Sequence, residues 1–172
     1  MKMKSFFLLL FSVLSVLASA QDIILTHTGE MIECKVMELN DNQIKYTYPK
    51  ESIVSVISRS CVAKIKFESG REQVISEKII VNSEADWEKV QITYSKDDVI
   101  GLKRVSEKTE KSSGTWSFSD NQGHFADKVI RKLKKEAARQ GCHIIYIISS
   151  TGNDGSLFKD AHASMTGVMY KY

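Results

Sequence analysis

The side chains able to do chemistry are few and scattered. They are four histidines (His27, His124, His143, His162), three cysteines (Cys34, Cys61, Cys142) and the acidic pair Asp97-Asp98. A zinc centre draws on imidazole and thiolate ligands at short paired spacings, and none of these residues has that spacing. Cys142 and His143 are adjacent, but neighbours on a strand point to opposite faces. Asp97-Asp98 supplies too few oxygen ligands for calcium and reads as a solvated turn. Gly152-Asn-Asp-Gly155 lacks the register of a calcium loop, and no glycine loop leads into Lys-Ser or Lys-Thr to cradle a phosphate. Ser55, Ser58 and Ser60 lie in a β-rich stretch without a nucleophile elbow. No metal and no cofactor are expected. Catalysis would need Asp97, His124 and His162 converging in one cleft as acid and base. Cys142 with His162 is a second combination, set against the reading of Cys142 as a core residue.

Candidate ligand-binding residues fall in two groups. Tyr46 and Tyr48 alternate on one strand, where they either present an aromatic face or fill a β core. Lys128, Arg131, Lys132 and Lys135 cover one side of a helix, where they either meet an anionic surface or keep the helix solvated. Trp87 reads as a packing residue.

Positioning these residues falls to elements that the apolar pattern marks out. Ala126, Val129, Ile130, Leu133 and Ala137 recur at helical spacing, so a helix is expected over about 125–140 with one apolar stripe. Gly141 ends it, because glycine tolerates positive φ. His143-Ile-Ile-Tyr-Ile-Ile-Ser149 follows as a largely buried strand, too short to span a membrane as a helix.

Upstream, period-two alternation marks short strands at Ile23–Thr26, at Ile32, Cys34 and Val36, and at Ile44, Tyr46 and Tyr48. Further runs lie at 52–58, at Ala63, Ile65 and Phe67, and at 71–76. Turns fall at Gly29, at Asn40-Asp41-Asn42 and at Ser69-Gly70. Pro49, the only proline, ends its strand. Six short strands of this kind form a small curled sheet or barrel. Cys34 and Cys61 both fall on apolar phases, as a disulfide or as two buried thiols.

Farther on, Asp86-Trp-Glu-Lys-Val90 reads as a helical turn or the approach to a strand. Strands are expected at 90–94 and 99–105, a polar mobile loop at 106–114, and a strand around Trp116 and Phe118. Ser119, Asp120 or Asn121 caps the helix. A polar loop at 151–156 and a final strand at 165–172 complete a two-layer module with one main helix against a sheet. The fold class is α+β, divided as 21–76 β module, 77–85 connecting segment and 86–172 α+β module.

The first 20 residues have the three parts of an export leader: Met-Lys-Met-Lys, an apolar core from Phe6 to Leu17, and Leu-Ala-Ser-Ala before Gln21. Cleavage after Ala20 leaves no transmembrane span. It also removes Lys2 and Lys4, so the basic excess falls from +3 to +1, 22 Lys and Arg against 21 Asp and Glu. That balance and export both argue against nucleic acid as a partner.

Asp22-Ile-Ile-Leu, Thr28-Gly-Glu-Met-Ile, Lys35-Val36, Asn42-Gln-Ile-Lys-Tyr46 and Ile65-Lys-Phe67 before Gly70 resemble a family of small exported β modules of Bacteroidetes-type bacteria. The resemblance implies export and a β module and supplies no catalytic residue. Leu133 to Ala137-Ala138, Gly141-Cys142, Ile144-Ile-Tyr146, Gly167 and Tyr170 resemble small exported domains related to the outer-membrane stress-sensor lipoprotein of enterobacteria. The chain lacks that sensor's lipid-attachment cysteine. The expected function is therefore a non-enzymatic, periplasmic or secreted protein that binds an envelope protein or polymer. The alternatives are an envelope-associated hydrolase and a purely structural envelope protein. Oligomeric state is left open.

Overall fold

A computed structural model describes residues 21–114, 122–153 and 161–172. The leader, the strand expected around Trp116 and Phe118, the helix cap and part of the 151–156 loop fall outside the described residues. The chain is mixed α+β, with two β-sheets and one main helix packed on the second sheet.

The six expected strands of the first half all form. They are β1 (Asp22–Thr26), β2 (Met31–Leu39), β3 (Gln43–Thr47), β4 (Val54–Ser58), β5 (Val62–Lys66) and β6 (Glu72–Val74). Their order is β4-β3-β2-β1-β5-β6, antiparallel throughout. The alternation seen in the sequence buries one face: Ile24, Ile32, Cys34, Ile44, Tyr46, Ile57, Cys61, Val62 and Ile65 form one cluster. Asp22 fixes the start of β1. Its two carboxylate oxygens accept from the backbone N–H groups of Val36 and Glu68, each at 2.8 Å.

The second sheet comprises β7 (Gln91–Thr93), β8 (Lys103–Gly114), β9 (Ile144–Asn153) and β10 (Ala161–Lys171), in the order β7-β9-β10-β8. Helix α1 (Gln122–Arg139) joins β8 to β9. Both strands run antiparallel to β10 between them, so they are parallel to each other. The expected stripe is the buried one: Val129, Leu133 and Ala137 are fully buried with Phe125, against Ile145, Ile147, Ala163, Met165 and Met169. Burying a side chain like Leu133 contributes roughly 1.5–3 kcal/mol. Gly167 leaves room for its sheet neighbour: a Cβ there would sit 2.5 Å from Ile145 Cγ2 on β9, and 3.7 Å from Leu133 Cδ1 on the helix. Gly141 ends the helix at φ +67, with Cys142 N–H bonded to Ala137 O (2.9 Å) and Gly141 N–H to Ala138 O (3.1 Å).

Three expectations change. The 106–114 segment, read as a loop for its charge, is the greater part of β8. Its backbone pairs with β10 from Lys103 to Gly114, and an edge strand needs no apolar face. The strand expected at 99–105 begins only at Lys103. Before it, Lys96–Val99 is a 3-10 turn capped by the Ser95 side chain, and Gly101 has φ +91. The described part of the expected 151–156 loop, residues 151–153, is instead the end of β9, paired with β10; the 84–89 segment takes the helical one of its two expected forms, as a 3-10 turn.

Residues 97–102 lie beyond the expected module boundary, yet they pack on the first sheet. Leu102 joins the first cluster, and a Cβ on Gly101 would meet Ile57 Cγ1 at 3.1 Å. Ser58 N–H donates to Ile100 O at 2.9 Å, and the Ser58 and Ser60 hydroxyls donate to Asp98 O at 2.8 Å each.

Candidate functional site

Tyr48 follows directly on β3 and begins a tight turn, in which Glu51 N–H returns to Tyr48 O at 3.1 Å. Pro49 presets φ for the second position. Lys50 holds φ +64 at the third, where glycine is the usual occupant. Tyr46, two residues back, is only 6 % exposed and fills the β core. Its ring meets Tyr48 edge-on at 5.5 Å, and the two hydroxyls are 3.5 Å apart. Burial, then the hydrogen bond with Tyr48, pushes the Tyr46 phenol well above its ordinary value. Tyr46 thus braces the more exposed ring rather than offering a surface of its own.

Tyr48 lines two clefts. One, about 460 Å³, also contains Asp22, Lys35, Pro49 and Glu68; the other, about 500 Å³, also contains Ile23, Met31, Glu33 and Pro49. Met31 is 70 % exposed, Ile53 72 % and Val54 51 %. Val54 pairs with Thr47, so its side chain lies on the face opposite Tyr46 and Tyr48; the exposed apolar residue that shares a cleft with Tyr48 is Met31. Exposed large apolar residues gathered beside a cleft mark a contact surface more than scattered ones do.

The four cations proposed on the helix are already engaged within the chain. Lys128 Nζ lies 5.4 Å from the Phe125 ring centre and Arg131 Cζ 5.6 Å from that of Trp87. Lys132 Nζ donates to Lys111 O at 2.8 Å, and Lys135 pairs with Glu84 at 3.7 Å. Trp87 is half-buried against the second core, as a packing residue.

The residues of the hydrolase alternative do not converge. Asp97 lies in the turn beside β7; its neighbour Asp98 accepts a short hydrogen bond from Thr93, which pairs with Tyr146. His162 pairs with Asn153 at the far end of β9. Seven strand residues separate those positions, roughly 20 Å or more. His124 falls in the first turn of α1, its side chain outside the described set. Cys34, Cys61 and Cys142 are buried free thiols, and burial pushes each to about 11, far from a reactive thiolate. Among the described residues, no group of three or more His, Cys, Asp or Glu is placed to hold a metal, and no helix is long and apolar enough to cross a membrane.

A second polar constellation escaped the sequence. Tyr172 stacks on His143 (3.8 Å, 14°) and tilts against His27 (4.9 Å), linking the sheets. Its hydroxyl accepts from Ile79 N–H at 3.0 Å. Ser76 Oγ lies within bonding distance of the Arg59 and Val62 carbonyls, so its proton is spent there. His27 Nε2, 2.8 Å away, is then the donor to Ser76, and no hydroxyl nucleophile is left. No spacing signal announces this group, because its members come from the two ends and middle of the chain. Comparison with protein-family models, curated proteins and solved structures finds no match.

Proposed function

We propose that this is a non-enzymatic protein, exported to the periplasm or secreted after cleavage behind Ala20, that binds an envelope protein through the Tyr48 corner. The observation that carries the reading is the exposure of Tyr48, which lines two clefts, and of Met31, which shares one of them. Tyrosine and methionine are favoured contact residues, since each offers a large apolar area with a rigid or adaptable shape. The mixed apolar and charged lining suits an extended protein segment better than a uniformly charged polymer. In this reading the first sheet curls about its own core, and the turn at Pro49 presents the ring. The distance between Asp97 and His162 weighs against the hydrolase alternative.

The test is site-specific photocrosslinking from position 48 in the producing cells, with position 94 as control; Tyr94 is equally aromatic and 65 % exposed. One protein captured from position 48, competed away by excess unlabelled wild-type chain, is the expected result. Identical capture from both positions, or capture that the competitor does not reduce, refutes the reading. A saturable glycan adduct in place of a protein would reassign the partner to a polymer.

A further inference from the structure

β8 is the outer strand of the second sheet. β10 lies along one side, and among the described residues no strand lies along the other. At 12 residues it is the longest strand described. A long edge without a strand along it is a template for another strand unless it is blocked, commonly by proline, a bulge or charge; here Lys132 Nζ covers one backbone acceptor, Lys111 O, at 2.8 Å, a single bond that an incoming strand would have to displace. β8 contains no proline, and its register shift against β10 falls at Val105, which leaves 106–114 regular. Its charges carry both signs in a fixed order: Ser106-Glu-Lys-Thr-Glu-Lys-Ser112.

That order is its own complement when the strand is reversed. We propose that β8 pairs with β8 of a second copy of this chain, antiparallel, about a two-fold axis at Thr109. This register sets Glu107 against Lys111 of the second copy and Lys108 against Glu110, each twice, with Ser106 opposite Ser112. In an antiparallel ladder, facing residues share the same hydrogen-bonding direction. The axis must therefore pass through a residue pair and not between residues. Placing it at Glu107 or Glu110 opposes two glutamates, and placing it at Lys108 or Lys111 opposes two lysines. Thr109 is the position between 107 and 111 that avoids like charges and forms four opposite pairs.

The pairs occupy both faces. Lys108 and Glu110 lie opposite Gly167 and Met165, on the helix side of the sheet. Glu107, Thr109 and Lys111 lie on the other face, where Thr109 Oγ1 is 2.8 Å from Thr166 Oγ1. Directly opposed charges on paired strands attract when unlike and repel when like. In the single chain Glu107 is held by Arg104 at 2.6 Å, so both acid and base remain at the edge for exchange. The second copy is the favoured occupant, because any other strand would have to reproduce this charge order. The proposal does not depend on the Tyr48 reading.

The test is sedimentation of the purified protein across concentration, at low and high salt, with paired charge swaps. Wild type is expected to form a salt-weakened dimer. Glu107→Lys and Lys111→Glu should each weaken association roughly tenfold or more. The double variant Glu107→Lys/Lys111→Glu should restore it, since each new lysine again faces a glutamate. Thr109→Cys should give a disulfide-linked dimer on mild oxidation, while Ser113→Cys should not. Circular dichroism checks that every variant is folded. A wild-type monomer at all concentrations overturns the proposal; so does a double variant no better than the single ones, or failure of the folded Thr109→Cys variant to crosslink.

Discussion

His143 is 2 % exposed, lies flat against Tyr172, and leaves its buried Nε2 without a hydrogen-bond partner among the described residues. Burial, then the neighbouring His27, lowers its pKa to about 4 from the ordinary 6.5. The folded state therefore resists a proton that the unfolded chain accepts. Stability from this group is complete above about pH 6.5 and is lost progressively as pH falls toward 4, by roughly 3 kcal/mol in full. Thermal unfolding of wild type should drop between pH 7.5 and 5, whereas His143→Phe, which keeps the stack, should lose much less over that interval. Equal drops would show that the orphaned nitrogen is not the cause. At the Tyr48 turn, Lys50→Gly should raise the denaturation free energy by about 0.5–1 kcal/mol, because Lys50 holds φ +64. A loss in the urea midpoint would contradict that account of the turn.

The apolar stripe identifies the buried face of α1 from sequence, so a paired substitution tests it. Leu133→Asp puts a charge at a fully buried site, and Lys132→Asp alters an exposed flank that gives up one bond to Lys111 O. The first should cost at least about 3 kcal/mol more than the second by chemical denaturation; equal losses would mean the faces are reversed. Strands β1 to β3 were equally legible, because each buries alternate side chains along its own length; β4 to β6 do not, and were legible from their short apolar runs and the turns between them. β8 was not. Its side chains are charged or polar, and what makes it a strand is the backbone of β10, some 50 residues away in sequence. The 99–105 run misled for a different reason: Leu102 is apolar because it meets the first sheet, and Val99 because it is buried in the 3-10 turn, not because they alternate in the second.

The two sheets are joined by Ser58, Ser60 and Ile57 against 97–102, and by Tyr172 between His27 and His143. Gly101→Val forces a branched side chain into φ +91 and against Ile57 and Cys61, and should cost about 2–4 kcal/mol. If the join couples the sheets, amide exchange should accelerate in β1–β5 and in β9–β10 together; acceleration confined to one sheet would make them independent. None of this was visible in the sequence, which divides the chain where its texture changes and carries no mark of contacts across that division. The candidate site was legible in part. Tyr48 stood out with Tyr46, but only the fold separates the buried ring from the exposed one, and only the fold brings Met31 beside it. The most direct measurement is therefore saturable binding of the labelled protein to envelopes of the producing cells, comparing Tyr48→Ala/Met31→Ser with Lys128→Glu/Arg131→Glu. Loss of binding in the first variant, with retention in the second, is the predicted result. Retention in the first with loss in the second would contradict the claim that the Tyr48 corner is the binding face.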